Sequence, residues 1–356
     1  MRLPRLAAAL AIAGSGCVTL LEQHDSPVGE LTDDCAVPVP AGLAALDAPV
    51  SLEYPDRSLW LWERLPRAGG GDAVGVAAWA TSAAAVCRDG PAVITDGAGA
   101  PVELLALSAA EQAANATRTD GKRLALVPTG GVVEAGVGYL YYDHVLRGPG
   151  LFDAEPLGTG LCTLAAGATT CARVATAGGD TVLWRPDRRV LDRGGVIIDE
   201  PGGRRALLPG CRHVAAFEDP CVMAGVPVAA LTDPAAYQVY DVFHGWVDAL
   251  TDATTIGDSA GQLTLTPLDG RMAAVTVDIF ASTLAVRLAD DPRGGYGRPI
   301  AALALLPPAA QWFVSGGRVH EALRAGDDAI AVSYATDNRA APGLHLIGFR
   351  FYGGLE

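Results

Sequence analysis

The chain has 356 residues, of which 50% are hydrophobic and 19% charged, with a net charge of -14. That length and apolar content suit one large repeat domain or two ordinary ones and exclude disorder as a global state. The acidic balance repels a phosphate backbone and no Lys/Arg cluster offsets it, which excludes nucleic acid as a partner.

The N-terminus reads as a targeting segment. Arg2 and Arg5 form a short basic region, Leu6 to Ala13 is an apolar run too short to span a bilayer, and Gly14-Ser15-Gly16 leads into Cys17. This arrangement resembles a bacterial lipoprotein signal. The resemblance implies that residues 1–16 are removed, that Cys17 carries lipid, and that the protein is extracytoplasmic, held at the outer membrane or cell surface by its lipid alone. Residues 17–48, rich in Pro, Asp and Gly, read as a flexible tether, with the folded domain spanning 49–356.

Beyond the tether, short apolar runs alternate with turn residues. The first set runs through Pro49 to Glu63, Ala73 to Ala80, Ala92 to Thr95 and Val102 to Leu105. A helix-like insertion over Ser108 to Thr117 precedes a second set at Arg123 to Val127, Gly138 to Leu146, Gly158 to Leu164 and Thr170 to Ala175. A third, less regular set covers Val214 to Phe217, Val222 to Leu231 and Ala236 to Val247, after a charged excursion from Arg185 to Arg205. The fourth comprises Gln262 to Pro267, Met272 to Phe280, Thr283 to Leu288 and Ile300 to Leu305. The fifth comprises Arg318 to Leu323, Ala329 to Ala335 and Leu344 to Phe351. One small meander cannot bury both its faces, so five in series predict an all-β, five-bladed β-propeller of four-stranded antiparallel blades, with a β-sandwich as the rival.

Seven cysteines are present, and with Cys17 lipidated six remain to pair in an oxidising compartment. Proximity in the sequence favours Cys162 with Cys171 and Cys211 with Cys221, which leaves Cys35 with Cys87. Six cysteines allow fifteen arrangements. No Cys-x-x-Cys is present and the histidines are scattered, so no metal site is expected.

Several phrases together resemble the five-bladed propellers called domain of unknown function 4185. These are SLWLWERL, YLYYDHVLRG, VRLADDPRGGYGRPI and VHEALRAGDDAIAVSYATD, with Glu63 where the opening motif has aspartate. The resemblance covers most of the chain from Pro49 onward. It implies a fold similar to that of glycoside hydrolase families 43, 32 and 68, and hence a carbohydrate or glycan ligand at the channel mouth.

Sugar cleavage in such a channel needs two carboxylates facing one another, one to protonate the leaving oxygen and one to attack or to activate water. The candidate acids are Glu63, Asp143, Glu155, Asp278 and Glu321. Glu63, Asp143, Asp278 and Asp337 end the second strand of four units and are expected to ring one mouth of the channel. His320 is expected on the fifth inner strand, lining the channel, and Arg287 is a candidate grip for an anionic sugar. Asp143 and Asp278 also have a plain reading as turn caps or as partners of Arg147 and Arg287. No phosphate loop, nucleophile elbow or zinc-protease helix occurs, so no cofactor is expected. The expected function is glycan binding, with hydrolysis if the acids are catalytic; the alternative is a non-catalytic scaffold for an envelope protein.

Overall fold

The computed structural model describes residues 19–20, 29–149, 153–185, 194–211, 220–249, 253–258, 262–278, 282–297, 299, 301–305, 314–336 and 343–351. Five small antiparallel sheets form a five-bladed propeller. From the channel outward, blade one contains Val50–Tyr54, Arg57–Leu61, Ala77–Ala80 and Ala92–Val93, and blade two Arg123–Glu134, Val137–Arg147, Ala154–Ala165 and Ala172–Arg173. Blade three begins Val196–Glu200, Gly203–Cys211, Pro220–Pro227 and Gln238–Asp241, and blade four Gln262–Leu268, Arg271–Asp278, Thr283–Ala289 and Ala301–Ala304. Blade five contains Val314–Val319, Ala329–Thr336 and Gly343–Phe351, and its outermost strand is Gly29–Ala36.

The hydrophobic core decides for a propeller over a sandwich. Buried side chains group into five clusters, and each is shared by two neighbouring blades. Leu52, Leu59 and Leu61 of blade one meet Leu140 and Tyr142 of blade two, for example, and Ile330, Tyr334 and Phe349 of blade five meet Val275 and Val286 of blade four. A sandwich would bury one layer between two sheets. The cluster that joins Trp60 and Ala78 of blade one to Ala331 and Leu346 of blade five closes the ring.

Three expectations need correction. Residues 29–36, given to the tether, pair with the last strand from Gly29 opposite Phe351 to Ala36 opposite His345. Asp33 and Asp34 interrupt the apolar alternation of this stretch in the sequence. The charged stretch before unit three contains the first two strands of that blade, Val196–Glu200 and Gly203–Cys211. Its charges are internal partners, since Arg205 donates to Glu200 at 2.9 Å and lies 4.4 Å over the Trp246 ring. The proposed strand Val214 to Phe217 falls outside the described residues. In unit five the strand ends at Val319, and Glu321–Leu323 is one turn of 3-10 helix.

The three disulfides are Cys35–Cys87, Cys162–Cys171 and Cys211–Cys221, the pairs expected from proximity. Cys87 lies on a short helix, Ala83–Asp89, capped by Ser82 and not foreseen from the sequence. The foreseen helix, Ala109–Thr117, is present with a full capping box between Ser108 and Glu111. Cys17 and the signal segment lie outside the described residues. Among the described residues no helix is long and apolar enough to cross a membrane.

Candidate functional site

Where the five innermost strands converge they enclose a cavity of about 160 Å³. Its wall takes residues from every blade: Ser51 and Glu53 from one, Gly131 from two, Gly195 from three, Thr264 from four and Glu321 from five. Strand periodicity explains the first pair. In Val50–Tyr54 the apolar Leu52 and Tyr54 enter the core shared with blade two, so Ser51 and Glu53 take the opposite face and line the channel.

Glu53 is held by four neighbours. The Ser58 hydroxyl donates to its Oε1 at 2.8 Å, the Ala322 backbone N–H donates to its Oε2 at 3.2 Å, and His320 Nδ1 lies 3.3 Å from Oε1. Ser51 is the fourth. Burial raises the Glu53 carboxyl, but the His320 ring and the Ser51 and Ser58 hydroxyls outweigh it and hold the group below its ordinary value. Glu321 moves the other way. Burial raises it first and the charge of Glu53 raises it further, against a partial offset from Arg324 at 3.5 Å.

Behind Glu53 lies a second layer of hydrogen bonds. His320 is completely buried, and its Nε2 lies 2.7 Å from the Ser333 hydroxyl. The Trp60 indole N–H points at His320 Nδ1 from 3.1 Å, the same nitrogen that faces Glu53. An indole N–H only donates, so this nitrogen serves either as acceptor for Trp60 or as donor to Glu53, not both. The order Ser333, His320, Glu53 imitates a serine-hydrolase triad, but Ser333 is itself completely buried and no substrate reaches its oxygen. This set orients a carboxylate.

Of the candidate acids, three belong elsewhere. Glu63 is bound by both arms of the Arg147 guanidinium, at 2.8 and 2.5 Å, which pins blade one to blade two. Asp143 accepts from the Thr159 hydroxyl at 2.7 Å, inside blade two. Glu155 is exposed and bound to Lys122 at 3.0 Å. None of the three lines the cavity. Arg287 sits on the third strand of blade four, with its Nη1 3.1 Å from Thr276 Oγ1, and lines no part of the cavity either. Asp278 ends the second strand of blade four, but its side chain is outside the described set, as is all of Asp337. Of the sequence candidates, the structure brings together Glu321 and His320.

Glu53 was missed, although a signal existed: it is the single charged residue in the otherwise apolar-alternating VSLEY strand that opens blade one. Four acids recur at second-strand ends, whereas the channel is lined by first strands. Among the described residues no group of His, Cys, Asp and Glu is arranged to hold a metal ion.

No family model matches the sequence, and no curated protein sequence matches it. Among solved structures the chain is similar to a protein from Bacteroides ovatus assigned as a hydrolase, with 12% identity, 86% of each chain covered and a TM-score of 0.54. It is also similar to a family 117 glycoside hydrolase from Zobellia galactanivorans, with 10% identity, 90% of this chain and 89% of that one covered, and a TM-score of 0.49. An α-L-arabinanase from Cellvibrio cellulosa, at 10% identity, 85% and 90% coverage, has a TM-score of 0.43. At 12% identity the likeness to the Bacteroides ovatus protein is one of fold alone.

Proposed function

We propose that the protein binds a glycan in the channel cavity and hydrolyses a glycosidic bond there, with Glu53 and Glu321 as the working carboxylates. The observation that carries this reading is that two carboxyl groups from adjacent blades share one cavity and are pushed in opposite directions by their surroundings. Such a split separates a base or nucleophile from an acid. Glu321, in its protonated form, gives its proton to the leaving oxygen as the bond from the anomeric carbon to that oxygen breaks. Glu53, kept ionised, either attacks the anomeric carbon or takes a proton from the water that does. The kinship with domain of unknown function 4185 propellers is part of the same reading.

The test is turnover of a panel of aryl glycosides and polysaccharides by the purified protein and two variants. Glu53→Gln is expected to abolish turnover. Glu321→Gln is expected to lose it on ordinary leaving groups, by roughly 10²- to 10⁴-fold, and to keep more of it on 4-nitrophenolate, which needs no proton. Neither binding nor turnover on any substrate, or full activity in both variants, would discard the proposal.

A second reading, an interaction module for another envelope protein, is favoured by one feature. Phe243 is 87% exposed and Val242 57% exposed on a turn braced by Asp241, which accepts from the backbone N–H groups of Phe243 and His244. Under that reading Phe243→Ala removes function while Glu53→Gln does not.

We also place the protein outside the cytoplasm, anchored by lipid on Cys17, a proposal supported by the signal-like N-terminus and by three disulfides. Cys17→Ser is expected to move the protein from the membrane fraction to the soluble one; continued membrane association would refute the anchor.

A further inference from the structure

We infer that Arg324 is a positioning residue for Glu321, and that Asp327, by drawing on the same guanidinium, sets how far into the alkaline range Glu321 keeps its proton. The inference rests on the hydrolase reading above for the use made of that proton, and it adds the groups that regulate it.

Glu321 reaches the cavity from a connection unlike the others. The other four blades pass from first to second strand through two residues, whereas blade five takes the excursion 320–328. This strap is tied down along its length. Leu323 is buried in the core shared with blade one, the Ala322 N–H holds Glu53, and the Asp269 N–H of the blade-four turn donates to the Asp327 carbonyl at 3.0 Å. Arg350 Nη2 donates to the Ala325 carbonyl at 3.1 Å, and the Phe351 N–H to that of Asp328 at 2.9 Å. So anchored, the strap presents Arg324 to a fixed set of acceptors.

The guanidinium divides its donors among them. Nη1 donates to the carbonyl of Pro267, a residue of the cavity wall, at 2.7 Å. Because the group is planar, that bond fixes where Nη2 stands. Nη2 donates to Asp327 Oδ1 at 3.1 Å and lies 3.5 Å from Glu321 Oε1. One nitrogen thus faces two carboxylates, and the nearer is Asp327, whose side chain is 93% exposed. The Arg324 side chain is only 17% exposed, so its attraction for Glu321 is screened less than that of a surface pair.

Among the described residues the charged groups acting on Glu321 are Arg324, Glu53 and Asp327, and the neighbouring His320 faces Glu53. Burial raises the Glu321 carboxyl first; Arg324 lowers it, and the charges of Glu53 and Asp327 raise it. Glu53 is needed for the reaction, so the adjustable part of this balance is the pair Arg324 and Asp327. Asp327 holds the cation partly away from Glu321 and adds a like charge. Both effects keep the proton on.

The test titrates the Glu321 carboxyl directly, by carbon-13 NMR of glutamate-labelled protein with its signal assigned from Glu321→Gln, alongside pH-rate profiles on the glycoside that is turned over. Asp327→Asn removes the competing charge at an exposed position. It is expected to lower the Glu321 titration midpoint and the alkaline limb by roughly half a pH unit, with the melting temperature nearly unchanged. Arg324→Gln is expected to move both the other way, and Arg324→Lys to fall between it and wild type, because an ammonium restores the charge without the fork. If Arg324→Gln does not fold, Asp327→Asn decides alone. If Arg324→Gln leaves Glu321 titrating as in wild type, or Asp327→Asn fails to lower the midpoint, Arg324 is a structural tie and the inference falls without touching the hydrolase reading. If the midpoints move as expected but no glycoside binds or reacts, the hydrolase reading falls and the control of Glu321 by Arg324 and Asp327 stands.

Discussion

The shared nitrogen of His320 makes a prediction at the scale of one residue. Activity by the proposed route requires Glu53 ionised and Glu321 protonated, so kcat/KM against pH is expected to be bell-shaped. The acid limb lies below the ordinary glutamate value of 4.5, because Glu53 is lowered, and the alkaline limb lies above it, because Glu321 is raised. Trp60→Phe removes the indole N–H and frees His320 Nδ1 to donate to Glu53 alone, so the acid limb is expected to move to lower pH. His320→Gln is expected to move it to higher pH. A merely structural role for the pair would change stability and leave both limbs in place, which pH-rate profiles of the two variants distinguish. The sequence pointed to His320 as a channel-lining residue of the last meander. It lies just past the inner strand, fully buried behind Glu53 and outside the cavity wall, and its partners were not legible. They lie 260 and 267 residues away in sequence, and only the closure of the ring between blades five and one brings Trp60 and Glu53 to it.

At the scale of an element, the helix Ala109–Thr117 has no buried residue of its own and must be held by polar contacts. Glu111 does this. It closes the capping box with Ser108 and takes both arms of Arg173, at 2.6 and 2.7 Å, from the outer strand of blade two. Burial alone would raise this carboxyl, but Arg173 and Ser108 overcome it and hold it at about 2. A depressed carboxyl stabilises the fold above its unfolded value of 4.5, and that stability is lost as pH falls through the folded value of about 2. Arg173→Ala is therefore expected to cost on the order of 3 kcal/mol at neutral pH and progressively less below about pH 4, measured by denaturant unfolding across that range. A constant penalty at all pH values would assign the loss to packing instead. The helix itself was readable because Ser108 and Glu111 stand at capping-box spacing. The strands of blade three were not, because their Arg and Glu residues read as solvent-facing until Arg205 is seen lying on Trp246.

At the scale of the whole molecule, the ring is closed twice over by its N-terminal segment. Gly29–Ala36 completes blade five, and Cys35 is bonded to Cys87 on the helix of blade one, across 52 residues of chain. Closing a loop of that length stabilises by about 4 kcal/mol in the chain-entropy account, against somewhat under 3 kcal/mol for the short loops of the other two disulfides. Cys35→Ala with Cys87→Ala is thus expected to lower stability more than Cys162→Ala with Cys171→Ala, as read by paired melting curves. Deleting residues 1–28 is expected to leave the melting temperature nearly unchanged. Extending the deletion through residue 36 strips the outer strand from blade five, leaves Gly343–Phe351 as an open edge, and is expected to produce aggregation, visible by light scattering. If the longer deletion stays monomeric and equally stable, the closure does not matter to the fold.

What the sequence by itself determined is the local: meanders bounded by Gly, Pro and Asp turns, the capped helix, cysteine pairs close enough to bond, and from their recurrence the number of blades. Each of these depends on residues within a few tens of positions of one another, where turn chemistry and period-two burial leave direct marks. What only the tertiary structure decided is which acids meet. Glu63 recurs at a strand end and Glu155 stands in a loop, each as suggestive as any, yet they are consumed by Arg147 and Lys122. Glu53 and Glu321, from opposite ends of the chain, share a cavity because the first and last blades are neighbours in a closed ring. Closure is a long-range event set by five interlocking cores, and no local pattern in either glutamate's surroundings carries that information.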